Sequence, residues 1–379
     1  MNLGPSVDNE IQERSNSGQG SIQFSGSGPR KEERTYRLED PFKLLVEVGS
    51  LNGFSSTGQR PKKYKPDVFE TSGLKNIYVK YLKDVDDKMC DNQIALRRVY
   101  LSMVEGEYSL KPNFNSDIRM GLVTGCAGSG KTTLLKDFSC KIGVEFPTLV
   151  LVANPALIDS TFATTVNVLT MEDALLSKVV VDDIGVLVVD EYTLSSSAEV
   201  LLIARKYNVH SIILFGDLAQ GRKFDGSSFE HFRVPEILTS AKSHRFGEAT
   251  AAFCRRSGSN VQGNPEIQDQ VNVEDYLGKI EENSQRLVFT QETREDLLEC
   301  GIDALLVSDV QGMQFDVVTV FARDSDSEVI DSSVGLKEVA LTRHRKLLIL
   351  KLEPSIRLRL ETGVKPASER EPTSDRICR

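Results

Sequence analysis

The 379-residue chain lacks any apolar run near the ~18 residues that a membrane-spanning helix needs, and its start, Met1-Asn-Leu-Gly-Pro5, has no basic-then-apolar leader pattern. A soluble protein is expected, with any membrane association made through a partner. Paired cysteines are lacking too: none of Cys90, Cys126, Cys140, Cys254, Cys300 and Cys378 forms a C-x-x-C, and the 4 histidines are scattered. That distribution argues against zinc. No internal repeat of about 20–50 residues is visible, which removes solenoids and propellers. What remains is an ordinary globular composition, 40% hydrophobic and 27% charged, with room for about two or three domains.

Nor is there an overall excess of positive charge, since 46 Lys and Arg stand against 55 Asp and Glu, a net −9. The balance differs along the chain. Residues 1–66 carry ten cations against eight acids, residues 354–379 six against four, and the middle 30 against 43. Mildly basic ends on an acidic body suit nucleic-acid contact at the ends, and a solvated tail fits the C-terminal one as well. Residues 1 to about 35, including Asn16-Ser-Gly-Gln-Gly-Ser21 and Ser25-Gly-Ser-Gly-Pro29, are too polar to offset their ordering entropy and are expected to be disordered. Pro41-Phe-Lys-Leu-Leu-Val-Glu-Val48 is an apolar island read as a docking element. Arg60, Lys62, Lys63 and Lys65 surround Tyr64, a composition that suits phosphate neutralisation and base stacking on single-stranded RNA; a basic linker or a nuclear-type address fits equally. Helical periodicity, with Ile94, Val99, Tyr100 and Met103 among its apolar positions, dominates from about residue 70 to 110.

The strongest local signal is Gly125-Cys126-Ala127-Gly128-Ser129-Gly130-Lys131-Thr132, followed by Thr133. It fits the phosphate-cradling pattern G-x-x-x-x-G-K-[ST] at every fixed position, after an apolar run and before a helix-like segment. The glycines let successive N–H groups turn inward on a phosphate, and the following helix adds its positive end. Lys131 is placed to reach the β- and γ-phosphates, and the Thr132 hydroxyl to ligate Mg²⁺. ATP with Mg²⁺ is the expected cofactor. A disulfide at Cys126 would obstruct the nucleotide, so a reducing compartment is expected.

Val186-Leu-Val-Val189 reads as a strand buried on both faces of a parallel sheet, and it ends in Asp190-Glu191. Asp190 is placed to hold Mg²⁺ and Glu191 to orient and deprotonate an attacking water. Further strands are expected at 119–124, 147–153, 179–190 and 211–215, alternating with helix-like segments. A second, smaller set follows at 287–289, 305–307, 317–321 and 347–350. The expected fold class is α/β, with parallel sheets and helices on both faces. Between these elements lie Gly216-Asp217-Leu-Ala-Gln220, Ser243-His244-Arg245-Phe246-Gly247, Gln311-Gly312 and Thr342-Arg343-His344.

The set and its order, from about Gly121 to Leu350, resemble the superfamily 1 helicases of positive-strand RNA viruses. Within that group they resemble the first proteins of the triple gene block, a family of plant-virus movement proteins. A chain opening at Met1 and ending at Arg379 with no polymerase or capping region favours this family over a replicase helicase. A long, partly basic N-terminal extension is similar to that of the larger, hordeivirus-like or benyvirus-like class.

The resemblance implies two RecA-like P-loop domains, residues 116–240 and 241–353. An extension (1–70) and a helical lead-in (71–115) would precede them, and a flexible tail (354–379) would follow. It implies that Gln220 senses the γ-phosphate and that Arg245 and Arg343 act as arginine fingers. Gln311 would couple nucleotide state to RNA, and Asn154 would lie against the RNA backbone. It also implies transport of viral RNA through plasmodesmata at the cell wall from the host cytoplasm, with two small membrane proteins of the same gene block, and leaves a homo-oligomer open. A stand-alone replication helicase and an RNA-coating scaffold or silencing suppressor with an auxiliary ATPase are the competing readings. The segment from Gly258 to Glu282 matches no motif.

Overall fold

The computed structural model describes residues 40–64, 117–153, 158, 166–176, 184–220, 229–256 and 259–357. Outside these lie the segment expected to be disordered, the helical lead-in, Lys65, Asn154 and the tail beyond Arg357. The first part of the described chain runs helix α1 (Pro41–Leu51), strands β1 (Ser55–Ser56), β2 (Lys62–Tyr64) and β3 (Ile118–Gly125), then helix α2 (Lys131–Ile142). Strands β4 (Thr148–Val152) and β5 (Asn167–Thr170), helix α3 (Met171–Leu176), strand β6 (Val186–Val189) and helix α4 (Ser197–Lys206) follow. Strands β7 (Ser211–Gly216) and β8 (Glu236–Ser240) complete one sheet, ordered β1-β8-β3-β7-β6-β4-β5, with β2 beside the first half of β3. All pairs are parallel except β1 with β8 and β2 with β3.

Alternation explains why the strands read as unbroken apolar runs. Val186 and Val188 of β6 face α1 and α2, while Leu187 and Val189 face α3 and α4. Each side chain is buried because both faces are covered. Helix α4 opens with a capping box, Ser196 and Glu199 satisfying each other's backbone N–H groups, which fixes where the chain turns away from β6.

The second sheet is built from β9 (Gln270–Asp275), β10 (Gln285–Val288), β11 (Leu305–Leu306), β12 (Phe315–Ala322) and β13 (His344–Leu352), ordered β11-β10-β12-β13-β9 and wholly parallel. Helix α5 (Glu248–Arg256) and helix α8 (Val334–Thr342) cover one face through Ala251, Cys254, Val339 and Leu341. Helix α6 (Gln291–Glu299) sends Leu297 to the other, and helix α7 (Ser327–Ser332) precedes α8. The motif-free segment from 258 to 282 supplies the edge strand β9. Its alternating polar residues, Gln270, Asn272 and Glu274, hide it from a reading based on apolar runs.

One expectation is corrected at the N-terminal side. Residues 41–64 are not an extension but part of the first domain. Asp40 caps α1, accepting from the N–H of Phe42 at 3.0 Å, and Pro41 supplies the first helical residue. Phe42, Leu45 and Val48 then bury against the sheet, and Asp40 pairs with Arg119 of β3 at 2.9 Å.

Tyr64 is also corrected. It is buried, its hydroxyl donates to the Phe232 carbonyl at 2.7 Å, and its ring meets Phe232 edge-on, so no base can stack on it. Burial pushes its phenol up to about 12. Tyr64→Ala is therefore expected to cost roughly 3–5 kcal/mol of stability, and Tyr64→Phe about 1 kcal/mol. Urea unfolding measures both; a loss under about 1 kcal/mol for the alanine variant would contradict this packing.

Candidate functional site

Three neighbouring strands of the first sheet, β3, β7 and β6, end at the same edge, and each ends in a motif. In open parallel sheets this carboxyl edge is where ligands bind. The Gly125–Gly130 loop leaves β3, and α2 begins at Lys131. Gly128 and Gly130 sit at φ 74° and 89°, in the left-handed region that a side chain resists. A Cβ on Gly128 would also lie 2.6 Å from the Cβ of Arg245. Ser129 Oγ is buried and has no hydrogen-bond partner among the described residues. Lys131 is buried, its ammonium donating to the carbonyls of Gly125 at 2.8 Å and Cys126 at 3.2 Å. Thr132 is half-buried, whereas Thr133 is exposed. Cys126 is partly exposed, Ala127 is buried, and burial pushes the Cys126 thiol up to about 12.

Asp190 is buried at the end of β6; burial, then the charge of Glu191, pushes its carboxyl up to about 7 against the pull of Lys131. Glu191 has φ 46°, a left-handed conformation costing a non-glycine residue about 1–2 kcal/mol. Its Oε2 is buried and has no hydrogen-bond partner among the described residues. Strain and an unsatisfied polar atom at one carboxylate are features that cluster at functional positions. At the end of β7, Gln220 Nε2 donates to Asp217 at 2.7 Å, leaving its Oε1 to face the second sheet.

That oxygen accepts from Arg343 Nη2 at 3.1 Å. Arg343 is buried, also donates to the Met313 carbonyl at 3.2 Å, and is pulled down to about 10 by burial and by neighbouring Arg245. Arg245 donates to the Thr342 carbonyl at 2.9 Å, and the N–H of His244 donates to the Gly128 carbonyl at 2.7 Å. Arg245 thus stands beside the phosphate loop, and Arg343 beside Arg245 and Gln220. Gln311 Nε2 approaches Thr193 Oγ1 at 3.5 Å, a further contact between the two sheets' loops. Arg60, Lys62 and Lys63 lie elsewhere, exposed on and before β2, with the Lys62 ammonium donating to the Phe232 carbonyl at 3.1 Å.

The residues fit a nucleoside triphosphate with its cation. The loop is shaped by glycines, a buried lysine and an unpartnered hydroxyl line it, and Thr132 and Asp190 offer the oxygen donors a hard divalent ion takes. The sequence did not single out Asp217, Thr193 or Glu338 as site residues. Asp217 was visible in the Gly-Asp motif; Thr193 and Glu338 sit in patterns indistinguishable from surface positions. Glu338 of α8 is buried, and burial, then Asp217, pushes its carboxyl up to about 7.

A cleft at the carboxyl edge of a parallel sheet, closed by arginines of a second such sheet, is that of a helicase-type motor core. A family model described as the viral superfamily 1 RNA helicase core domain matches residues 121–351. The Movement protein TGB1 of Potato mop-top virus (isolate Potato/Sweden/Sw) is 38% identical over 371 residues, 97% of this chain and 74% of that protein. The Movement protein TGB1 of Peanut clump virus (isolate 87/TGTA2) is 38% identical over 345 residues, 88% of this chain and 74% of that protein. Among solved structures, an arterivirus nonstructural protein 10 helicase aligns with TM-score 0.48 and 19% identity, over 63% of this chain and 61% of its own. The chain belongs to the TGB1 movement proteins and carries the viral superfamily 1 helicase core.

Glu338 supports a pH prediction. Its folded-state carboxyl lies above its unfolded value, so its stabilising effect is full at low pH and is lost as pH rises to about 7. Glu338→Gln should therefore raise Tm more at about pH 8 than at about pH 5. Thermal melts at both values check this; an equal shift at the two would contradict it.

Proposed function

We propose that the chain hydrolyses ATP in this cleft and uses the cycle to move along, or load, single-stranded viral RNA for cell-to-cell transport. The observation that supports the reading is the Arg343–Gln220 contact, which brings a cation of the second domain to the residue that would sense the γ-phosphate. Lys131 would exchange the carbonyls of Gly125 and Cys126 for phosphate oxygens. Thr132 and Asp190 would hold Mg²⁺, which supplies neutralisation of the phosphate charge when bound. Glu191 would orient and deprotonate the attacking water, Gln220 would report the γ-phosphate, and Arg343 and Arg245 would stabilise charge developing on it. Losing that phosphate would remove the counter-charge holding the two sheets together there, and the Gln311–Thr193 contact would pass the change to the RNA side.

The TGB1 relatives support transport over replication. Gln311, Asn154, Lys65 and the exposed cations Arg60 and Lys63 are the RNA contacts in this reading. Small membrane proteins of the same gene block would bring the complex to plasmodesmata. Neutralising Arg60, Lys63 and Lys65 together should flatten the log–log salt dependence of RNA binding by up to ~0.7 per contact. A filter-binding salt titration with the wild-type slope would remove these cations from the interface.

The hydrolytic step is tested by Arg343→Ala and Lys131→Ala. Arg343→Ala should cut RNA-stimulated ATPase kcat by about 10³–10⁵ while ATP still binds within a few-fold. Lys131→Ala should abolish hydrolysis. Unchanged turnover in Arg343→Ala would remove that arginine from the chemistry.

A further inference from the structure

The two arginines arrive from different parts of the second domain, Arg245 before α5 and Arg343 between α8 and β13. For both to meet one phosphate, something must fix them relative to each other. The tripeptide Thr342-Arg343-His344 is gripped from both ends by Arg245-Phe246. At one end the Arg245 guanidinium donates to the Thr342 carbonyl at 2.9 Å. At the other the His344 ring stacks on Phe246, centroids 6.5 Å apart and planes 25° from parallel.

The stack is itself held by a buried polar chain. His344 Nε2 lies 2.9 Å from Thr250 Oγ1 and 4.0 Å from Asp269 Oδ2, and the N–H of Thr250 donates to that same Oδ2 at 3.0 Å. The His344 and Asp269 side chains are 0% and 2% exposed. Despite burial, which works the other way, hydrogen bonds from His344 and Thr250 hold Asp269 well below the usual carboxylate range. Gly247 seals the arrangement, since a Cβ there would come 2.6 Å from Asp269 Oδ1. A phenylalanine at 344 would fill this space as well as a histidine and would not have to desolvate a ring nitrogen. What the imidazole adds is direction: its polar edge fixes the ring plane, and the ring plane fixes Phe246.

We infer that His344 is a positioning residue that, with Thr250, Asp269 and Phe246, locks Arg245 and Arg343 into one unit. The inference rests on the proposed hydrolysis in the cleft. It builds the device from buried residues of the second domain.

The test is a double-mutant cycle on the full chain. His344→Phe keeps the ring and the stack but loses the contacts to Thr250 and Asp269. It should lower kcat for RNA-stimulated ATP hydrolysis by roughly 10- to 100-fold, the scale of a misplacement near 1 Å, with KM for ATP unchanged. In an Arg343→Ala background the same substitution should lower kcat by a clearly smaller factor than in the wild type, because one of the two arginines it positions is gone. Thr250→Val, which removes only the hydroxyl, should reproduce the pattern in weaker form and serves if His344→Phe fails to fold. An equal loss of kcat in both backgrounds, or a rise in KM with kcat intact, overturns the inference. If Arg343→Ala lowers kcat and neither His344→Phe nor Thr250→Val does, the inference fails alone. If Arg343→Ala is itself silent, the reading of the cleft and the inference fall together.

Discussion

The cleft depends on a buried contact between the two halves, the Arg343 guanidinium against the Gln220 amide, supported by the His244–Gly128 and Gln311–Thr193 contacts. Each partner is fixed by its own sheet. Gln220 follows β7 and is tied to Asp217, while Arg343 closes α8 immediately before β13. Neither sheet alone presents both the phosphate loop and the cations facing it. A contact this dependent on register can form only between two α/β units.

The cleft is costly to maintain. Asp190, Asp217 and Glu338 are buried near Lys131 and Arg343, two of the acids with carboxyls pushed up to about 7. Glu191 Oε2, Ser129 Oγ and Arg343 Nε lack partners among the described residues, and Glu191 is held in a left-handed conformation. Each feature reduces stability, and all of them cluster where the two sheets meet. The burial of the whole Val186–Val189 strand and of Phe42, Leu45 and Val48 of α1 offsets this. Stability and function are thus divided between the sheet interior and its carboxyl edge.

Much of this was legible in the sequence, for definite reasons. A phosphate loop restricts residue type at fixed spacing, so Gly125 to Thr132 can be read one position at a time. Strands buried on both faces leave unbroken apolar runs, so β3, β4, β6, β7, β12 and β13 were visible. Strand β9 was not, because an edge strand carries polar residues on alternate positions. The role of residues 41–64 was hidden differently. The apolar island of α1 was visible, but two short antiparallel strands that complete a sheet begun by distant residues have no local pattern to announce them. Tyr64 shows the hazard: an aromatic among lysines looks like a base-stacking platform until its partner, Phe232, is located 168 residues away. Side chains that meet across the cleft, such as Thr193 and Glu338, are fixed by tertiary geometry alone.

The central claim is that nucleotide state is read by residues of both sheets acting together. Hydrogen–deuterium exchange of the full chain with ATP analogue and Mg²⁺, and separately with ADP and Mg²⁺, tests it most directly. The account predicts that the ATP analogue slows exchange together in the phosphate loop, in residues 217–220 and in residues 342–345, and that ADP slows it only in the phosphate loop. Protection confined to the phosphate loop with both nucleotides would contradict it.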